Sequence, residues 1–403
     1  MKIAIKIVFP LLLLVGALLY WIYREKAEPA LPVHPEVMRA ALYADTSSYP
    51  TFLQMVDFVK SNPDTPKFIF WRRMTGLNPK DPLLANSYLV SIPKKRFRKV
   101  KEWDVVAKEL EKFLKAYPNA RFILHLNKDQ NALVWVFLKT IPRERIEHIH
   151  WYEESFAATT FQIGAIRVPE EHALRLLERK EAPPHFGFSY SLSLIPFYSS
   201  TVYLGLKDYT LQEYPGIREC LRKAEKIVDV RFEEIAAGLT EMQKQDLLRL
   251  AGVNRSDLEP FKSDKPVLLY TLGFFGDDKK FNEAQIRIME RLLAGKIVPL
   301  ESPDHYTWLF KEHPWLTANT FLKDTLTKRW PFMKSLPKQT PLEVLFLTGY
   351  MPDEVFGYSS SLFFALPPER ILFYIQRPHD TYVPLLKHAG ILTDDKIISL
   401  EEK

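Results

Sequence analysis

The sequence predicts an α/β protein of two Rossmann-like domains facing a cleft, preceded by one N-terminal transmembrane helix. Three observations carry that expectation. Buried strand-like runs alternate with amphipathic helical segments along most of the chain, the pattern of parallel sheets covered by helices. A polar stretch with two prolines, Arg255 to Pro266, interrupts the alternation. Ile7 to Tyr23 is one continuous apolar run. The predicted organisation is a tail at 1–6, an anchor at 7–23 and a linker at 24–35. An N-terminal Rossmann-like domain follows at 36–260 and a second at 261–385, with a terminal segment, 386–403, packing back on the first domain.

The anchor reading rests on length and flanks. The run is near the lower limit of about 17 residues for a bilayer span, has Lys2, Lys6, Arg24 and Lys26 at its ends, and gathers Tyr20, Trp21 and Tyr23 at one end as interfacial anchors. No small-x-small cleavage pattern precedes Arg24, so an uncleaved anchor is expected over a signal peptide. Ala27 to Pro35 reads as a proline-rich linker.

In the first domain, Ala41–Ala44 reads as a strand, Asp45–Pro50 as a turn and Phe52–Val59 as a helix. Lys67–Trp71, Arg121–Leu126 and Ile146–Tyr152 read as further strands, with helices at Val106–Tyr117 and Ala132–Leu138. Residues 216–258 read as mainly helical, with a capping box from Thr240 to Gln243. In the second domain, Val267–Thr271, Tyr306–Phe310 and Ile371–Ile375 read as strands, Glu283–Leu293 as a helix, and a helical segment begins at Tyr382. Functional groups in such sheets gather at the C-terminal ends of strands.

Composition excludes more than it identifies. At 47% hydrophobic, the 403 residues can bury a large core, and the net charge of +6 suits an anionic substrate or membrane surface as well as nucleic acid. No nucleic-acid-binding motif is present, so no nucleic-acid partner is expected. A single cysteine, Cys220, rules out an internal disulfide and a cysteine-ligated metal site. Asp-x-Asp, Gly-x-Ser-x-Gly and Gly-x-Gly-x-x-Gly are all absent, which argues against metal–diphosphate, hydrolase and dinucleotide chemistry. His148 and His150 share one strand face but have no further ligands nearby in sequence, and read as packing residues.

The candidate chemistry lies at strand ends. Glu153 and Glu154 follow a strand, and whichever points into the cleft can accept a proton from a hydroxyl. Lys311 and His313 end another strand and offer positive charge, with Pro314 constraining the backbone. Glu343 can accept hydrogen bonds from ribose hydroxyls. Ser359, Ser360 and Ser361 open an apolar helical segment, Leu362–Leu366, where N–H groups and hydroxyls form an anion site.

These motifs, in this order, resemble the bacterial sialyltransferases of glycosyltransferase family 80. The matching stretches are Tyr152-Glu153-Glu154-Ser155, Lys311-Glu312-His313-Pro314 and Ser360-Ser361, with LEVLFLTGYMPDEVFGYSSSLFFALPPERI similar almost throughout. The resemblance implies a GT-B fold and metal-independent, inverting transfer of sialic acid from CMP-sialic acid to a glycan, with no cofactor. It implies that Glu154 is the general base, that His313 and the Ser360–Ser361 pair hold the CMP phosphate, and that Lys311 and Glu343 bind base and ribose. Pro314 belongs to the donor motif, while His125 and Asn127 lie toward the acceptor. The partners implied are a CMP-sugar, an oligosaccharide or glycolipid acceptor of galactoside type, and the membrane.

The chain departs from the family pattern at three places. Glu154 followed by Ser155 replaces an aspartate followed by glycine, and Glu312 replaces the glycine before the histidine. The acceptor-side loop reads TLGFFG, Thr271 to Gly276, without the family's tryptophan. A transferase for another CMP-linked acid sugar, of Kdo type, and a silent protein that kept the fold are the alternative readings. The expected location is a membrane, the bacterial inner membrane or, in a eukaryote, the Golgi with the domain in the lumen.

Overall fold

A computed structural model describes residues 30–74, 77–92, 102–153, 169–179, 189–205, 215–273, 279–312, 321–337, 339–358, 360–376, 380 and 382–399. The expected anchor, 7–23, lies outside them. Among the described residues no helix is long and apolar enough to cross a membrane.

The first domain is built on a parallel sheet of seven strands: β1 (Arg39–Asp45), β2 (Lys67–Trp71), β3 (Ser87–Leu89), β4 (Arg121–Asn127), β5 (Ile146–Tyr152), β6 (Ser200–Leu204) and β7 (Lys226–Asp229). Their spatial order is β3-β2-β1-β4-β5-β6-β7, so the order reverses between β1 and β4. The second sheet is also parallel: β8 (Val267–Thr271), β9 (Thr307–Lys311), β10 (Lys334–Leu336), β11 (Glu354–Tyr358), β12 (Ile371–Gln376) and β13 (Ile397–Ser399). Its order, β10-β9-β8-β11-β12-β13, reverses between β8 and β11. Both are doubly wound sheets, and ligands of such sheets bind beyond the strand ends at the reversal.

Two departures from the predicted elements concern the chain's end and its edges. Ile397–Ser399 pairs with β12 and completes the second sheet, within the 386–403 segment that was expected to pack back on the first domain. Lys226–Asp229 is an edge strand inside a region read as helical. The helix Pro215–Arg222 stops before it, and the strand's exposed Lys226 and Asp229 suit an unpaired edge. The Thr240–Gln243 capping box is formed as read, with Gln243 N–H donating to Thr240 Oγ1 at 3.2 Å and Thr240 N–H to Gln243 Oε1 at 3.0 Å.

The domains meet through a short apolar helix, Leu342–Leu347. It packs against the first-domain helices Phe232–Ala237, Glu241–Leu250 and Ser48–Lys60, burying Leu342, Val344, Leu345, Phe346 and Leu347. A buried polar contact adds to this, with Thr340 Oγ1 donating to Asp257 Oδ2 at 2.7 Å. The helix that carries Glu343 is thus fixed by both domains.

Candidate active site

Lys311 is the last residue of β9 and is buried, its Nζ donating to the Glu312 carbonyl at 3.3 Å. Glu343 sits in the first turn of Leu342–Leu347. Burial raises the pKa of its carboxyl, and its own backbone N–H and the Lys311 ammonium pull in the opposite direction. The two residues, far apart in sequence, are therefore brought within electrostatic reach. His313 and Pro314, on the same expected motif, lie outside the described residues.

Ser360 follows β11 in extended conformation and caps the segment Ser361–Ala365. That segment is a 3₁₀ helix of five residues where the sequence reading put a helical segment at Leu362–Leu366, and Pro367, directly after its C-cap Leu366, cuts off propagation. The Leu362 N–H donates to Ser360 Oγ at 3.2 Å, so this donor is already satisfied. What Ser360 still offers an anion is its O–H, since a hydroxyl accepts and donates at once. The side chain of Ser361 lies outside the described residues.

Gly357, on β11, explains how the serines are placed. Its φ is +147°, and a Cβ there would stand 2.2 Å from both the carbonyl O and Oγ1 of Thr271, the last residue of β8. Only glycine lets the two strands at the sheet's reversal approach this closely.

On the first-domain side the strand ends carry a buried charge network. Lys128 Nζ lies 3.0 Å from Asp129 Oδ1 and 3.6 Å from Glu153 Oε1, all three buried. Burial alone would lower the Lys128 pKa, but Asp129 and Glu153 outweigh it and the net direction is up. Glu153 Oε2 also accepts from the Gly205 N–H at 3.0 Å. Of the two adjacent acids, Glu153 is thus committed to the interior; Glu154 lies outside the described residues.

Tyr49 links the two halves. Its ring stacks on Phe232 at 5.7 Å, and its hydroxyl is pushed up by burial, then by Glu153 of the first domain and Glu343 of the second. Sequence reading places Tyr49 in a turn, whereas the helix begins one residue earlier, at Ser48. Neither Tyr49 nor Lys128 carries a motif; only their positions just beyond predicted strands mark them.

His125 and Asn127 take up interior positions. His125 is 2% exposed, stacked on Tyr43 at 4.2 Å, with Nδ1 3.0 Å from the Tyr152 hydroxyl. Asn127 is fully buried, donating to Asp45 Oδ1 at 3.3 Å and accepting from the Asp129 N–H at 2.9 Å. Both side chains are buried at the strand end, where the resemblance placed them toward an acceptor. His150 is not alone either, because the fold brings Asp57 and His125 beside it.

Residues 301–381, which span Lys311, Glu343 and Ser360, match the model of a family described as sialyltransferase PMO188. The family match is confined to that segment of the chain, and the fold as a whole is of the GT-B type. The α/β-galactoside α-2,3-sialyltransferase of Photobacterium phosphoreum superposes with a TM-score of 0.72 at 16% identity, covering 91% of this chain and 100% of that one. The GT-B domain of a sialyltransferase from Photobacterium damselae gives 0.69 at 18% identity, covering 90% and 100%. A 2,6-sialyltransferase from a Photobacterium species, solved with CMP and lactose, gives 0.69 at 18% identity, covering 90% and 78%. These likenesses establish the fold, with its two parallel doubly wound sheets. No curated protein matches the sequence.

Proposed function

We propose that this chain is a glycosyltransferase that moves sialic acid from CMP-sialic acid to a galactoside-type acceptor with inversion at the anomeric carbon. The observation that carries the reading is that Lys311, at the C-terminal end of β9, lies within electrostatic reach of Glu343, inside the sialyltransferase-matched segment that also holds Ser360. Lys311 and Glu343 hold the nucleoside, and Ser360, Ser361 and His313, with Pro314 fixing the local backbone, hold the phosphate.

In this proposal Glu154 takes the proton of the acceptor hydroxyl as its oxygen bonds to the anomeric carbon. The bond from that carbon to the phosphate oxygen breaks, and CMP leaves with its charge met by the serine hydroxyls and His313. Commitment of Glu153 to Lys128 and Gly205 supports giving the base role to its neighbour. The solved relative with CMP and lactose supports a nucleotide and a saccharide as the two ligands. The apolar run Ile7–Tyr23 anchors the enzyme to a membrane, near glycolipid or cell-surface acceptors.

The test is release of CMP from CMP-sialic acid with a panel of galactosides. Glu154→Gln should abolish transfer and leave CMP binding intact, while Lys311→Met and Glu343→Gln should raise KM for the donor. Absence of turnover with every CMP-sugar refutes the donor assignment. For the anchor, recovery of the full chain in a detergent-free soluble fraction refutes it.

A further inference from the structure

We propose that Asp57, His125 and His150 form a site for a divalent first-row transition metal of the zinc type, which pins the first sheet to its covering helix. One ring nitrogen of each histidine and a carboxylate oxygen of Asp57 lie within 4.8 Å of one another. The three residues come from different elements. His125 and His150 are direct register partners on β4 and β5, and Asp57 is on the helix Ser48–Lys60 that lies over them.

The two imidazoles stand in a column of rings, His125 4.7 Å from His150 and 4.2 Å from Tyr43, and each also has a polar partner. Each imidazole is held through Nδ1 by a tyrosine hydroxyl, His125 by Tyr152 at 3.0 Å and His150 by Tyr203 at 3.1 Å. The tyrosines stack on each other at 4.7 Å and 8°. Tyr43 donates to Asp57 Oδ2 at 2.9 Å. Outer partners of this kind set tautomer and ring direction in metal sites and leave Nε2 as the ligand atom.

The spacing agrees. His125 Nε2 stands 3.4 Å from Asp57 Oδ2, longer than an ordinary hydrogen bond of about 2.7–3.2 Å. It matches the edge of a tetrahedron with bonds of about 2.0–2.1 Å, which is roughly 3.3 Å. A neutral imidazole keeps one ring nitrogen as a lone-pair donor for an ion. Two imidazoles and one carboxylate select zinc, cobalt or nickel over magnesium or calcium. Asp57 is a third exposed, which gives an ion an entry path and a fourth position for water.

The experiment is titration of the chelator-treated full chain with Co(II), read by visible d–d absorption, by equilibrium stoichiometry and by the shift in Tm. The expected result is one ion per chain and a rise in Tm, both lost in His150→Gln and in Asp57→Asn. These two residues are partly exposed, and circular dichroism checks that the variants fold. Should either misfold, carbethoxylation of His150 in the unaltered chain, mapped by peptide, should be blocked by Co(II). The proposal is overturned by no stoichiometric uptake, by uptake that survives both substitutions, or by unchanged modification of His150.

Discussion

Replacing Gly357 by alanine tests whether the reversal of the second sheet is held by a backbone contact. Two costs add. At φ +147° an L side chain is rarely found, and such strain is worth about 1–3 kcal/mol. The new Cβ would also meet Thr271 at 2.2 Å from its carbonyl O and Oγ1, and at 2.9 Å from its N. Two of these atoms are backbone, so no rotamer change relieves the contact, and overpacking adds about 1–3 kcal/mol. Gly357→Ala is thus expected to lose about 2–6 kcal/mol. Gly349 supplies the control: its φ is +90°, but nothing lies within 4 Å of a Cβ there. Gly349→Ala should cost only the dihedral term, about 1–2 kcal/mol. With a urea m value of about 2 kcal/mol/M, the Gly357 midpoint should fall by about 1–3 M and the Gly349 midpoint by less than about 1 M. Equal losses in the two variants would refute the argument, because they would show that Thr271 yields without cost. Donor KM should rise in Gly357→Ala alone, since only that change displaces the strand leading to Ser360.

Three further outcomes follow from buried polar groups. Lys128→Met strands Glu153 and Asp129 without their cation and should cost about 3–5 kcal/mol; adding Glu153→Gln should recover part of it in the same unfolding assay. Thr340→Val removes a buried bond to the Asp257 carboxylate, worth about 1.5–3 kcal/mol; faster amide hydrogen exchange should appear where Leu342–Leu347 meets the first domain. Lowering pH should destabilise the fold through His125 and His150. Their folded pKa values are depressed to about 3, so the unfolded chain binds the extra protons. Stability is full above about pH 6.5 and is lost between there and about 3, by up to about 1.4 kcal/mol per pH unit for buried His125 and less for half-buried His150. Asp57 and Glu343, raised chiefly by burial, oppose this in part. Chemical denaturation at pH 7.5, 6 and 5 checks the sign.

The long central strands were legible because most of their residues are apolar and buried. Lys67–Trp71, Ile146–Tyr152 and Val267–Thr271 coincide with the predicted runs. The strands that escaped are short edges such as Ser87–Leu89, Lys226–Asp229 and Lys334–Leu336, whose three or four residues hold no period to read. β11 escaped for a different reason. Gly357 weakens EVFGY as a strand by propensity, yet the close approach to Thr271 requires it. At that position local propensity and tertiary packing conflict, and packing decides the outcome.

The same division holds for the site. Lys311, Glu343 and Ser360 were singled out because they lie in one continuous motif-bearing stretch, and the short 3₁₀ helix changes what Ser360 can contribute. The direction of Glu153 was not legible, because two adjacent acids at a strand end look alike in sequence. It is settled by Lys128 and the Gly205 N–H, which come from two other strand ends. Committing Glu153 inward has a consequence for chemistry. Lys128 neutralises the acid next to Glu154 in sequence, and an uncompensated charge there would oppose ionisation of a neighbouring carboxyl. In the proposed function Glu154 is the general base and has to stay ionised at neutral pH, a state that the Lys128–Glu153 pair would favour. If that is its role, Lys128→Met should shift the acidic limb of the rate–pH profile upward in the surviving folded protein, whereas a purely structural lysine would lower the rate equally at every pH.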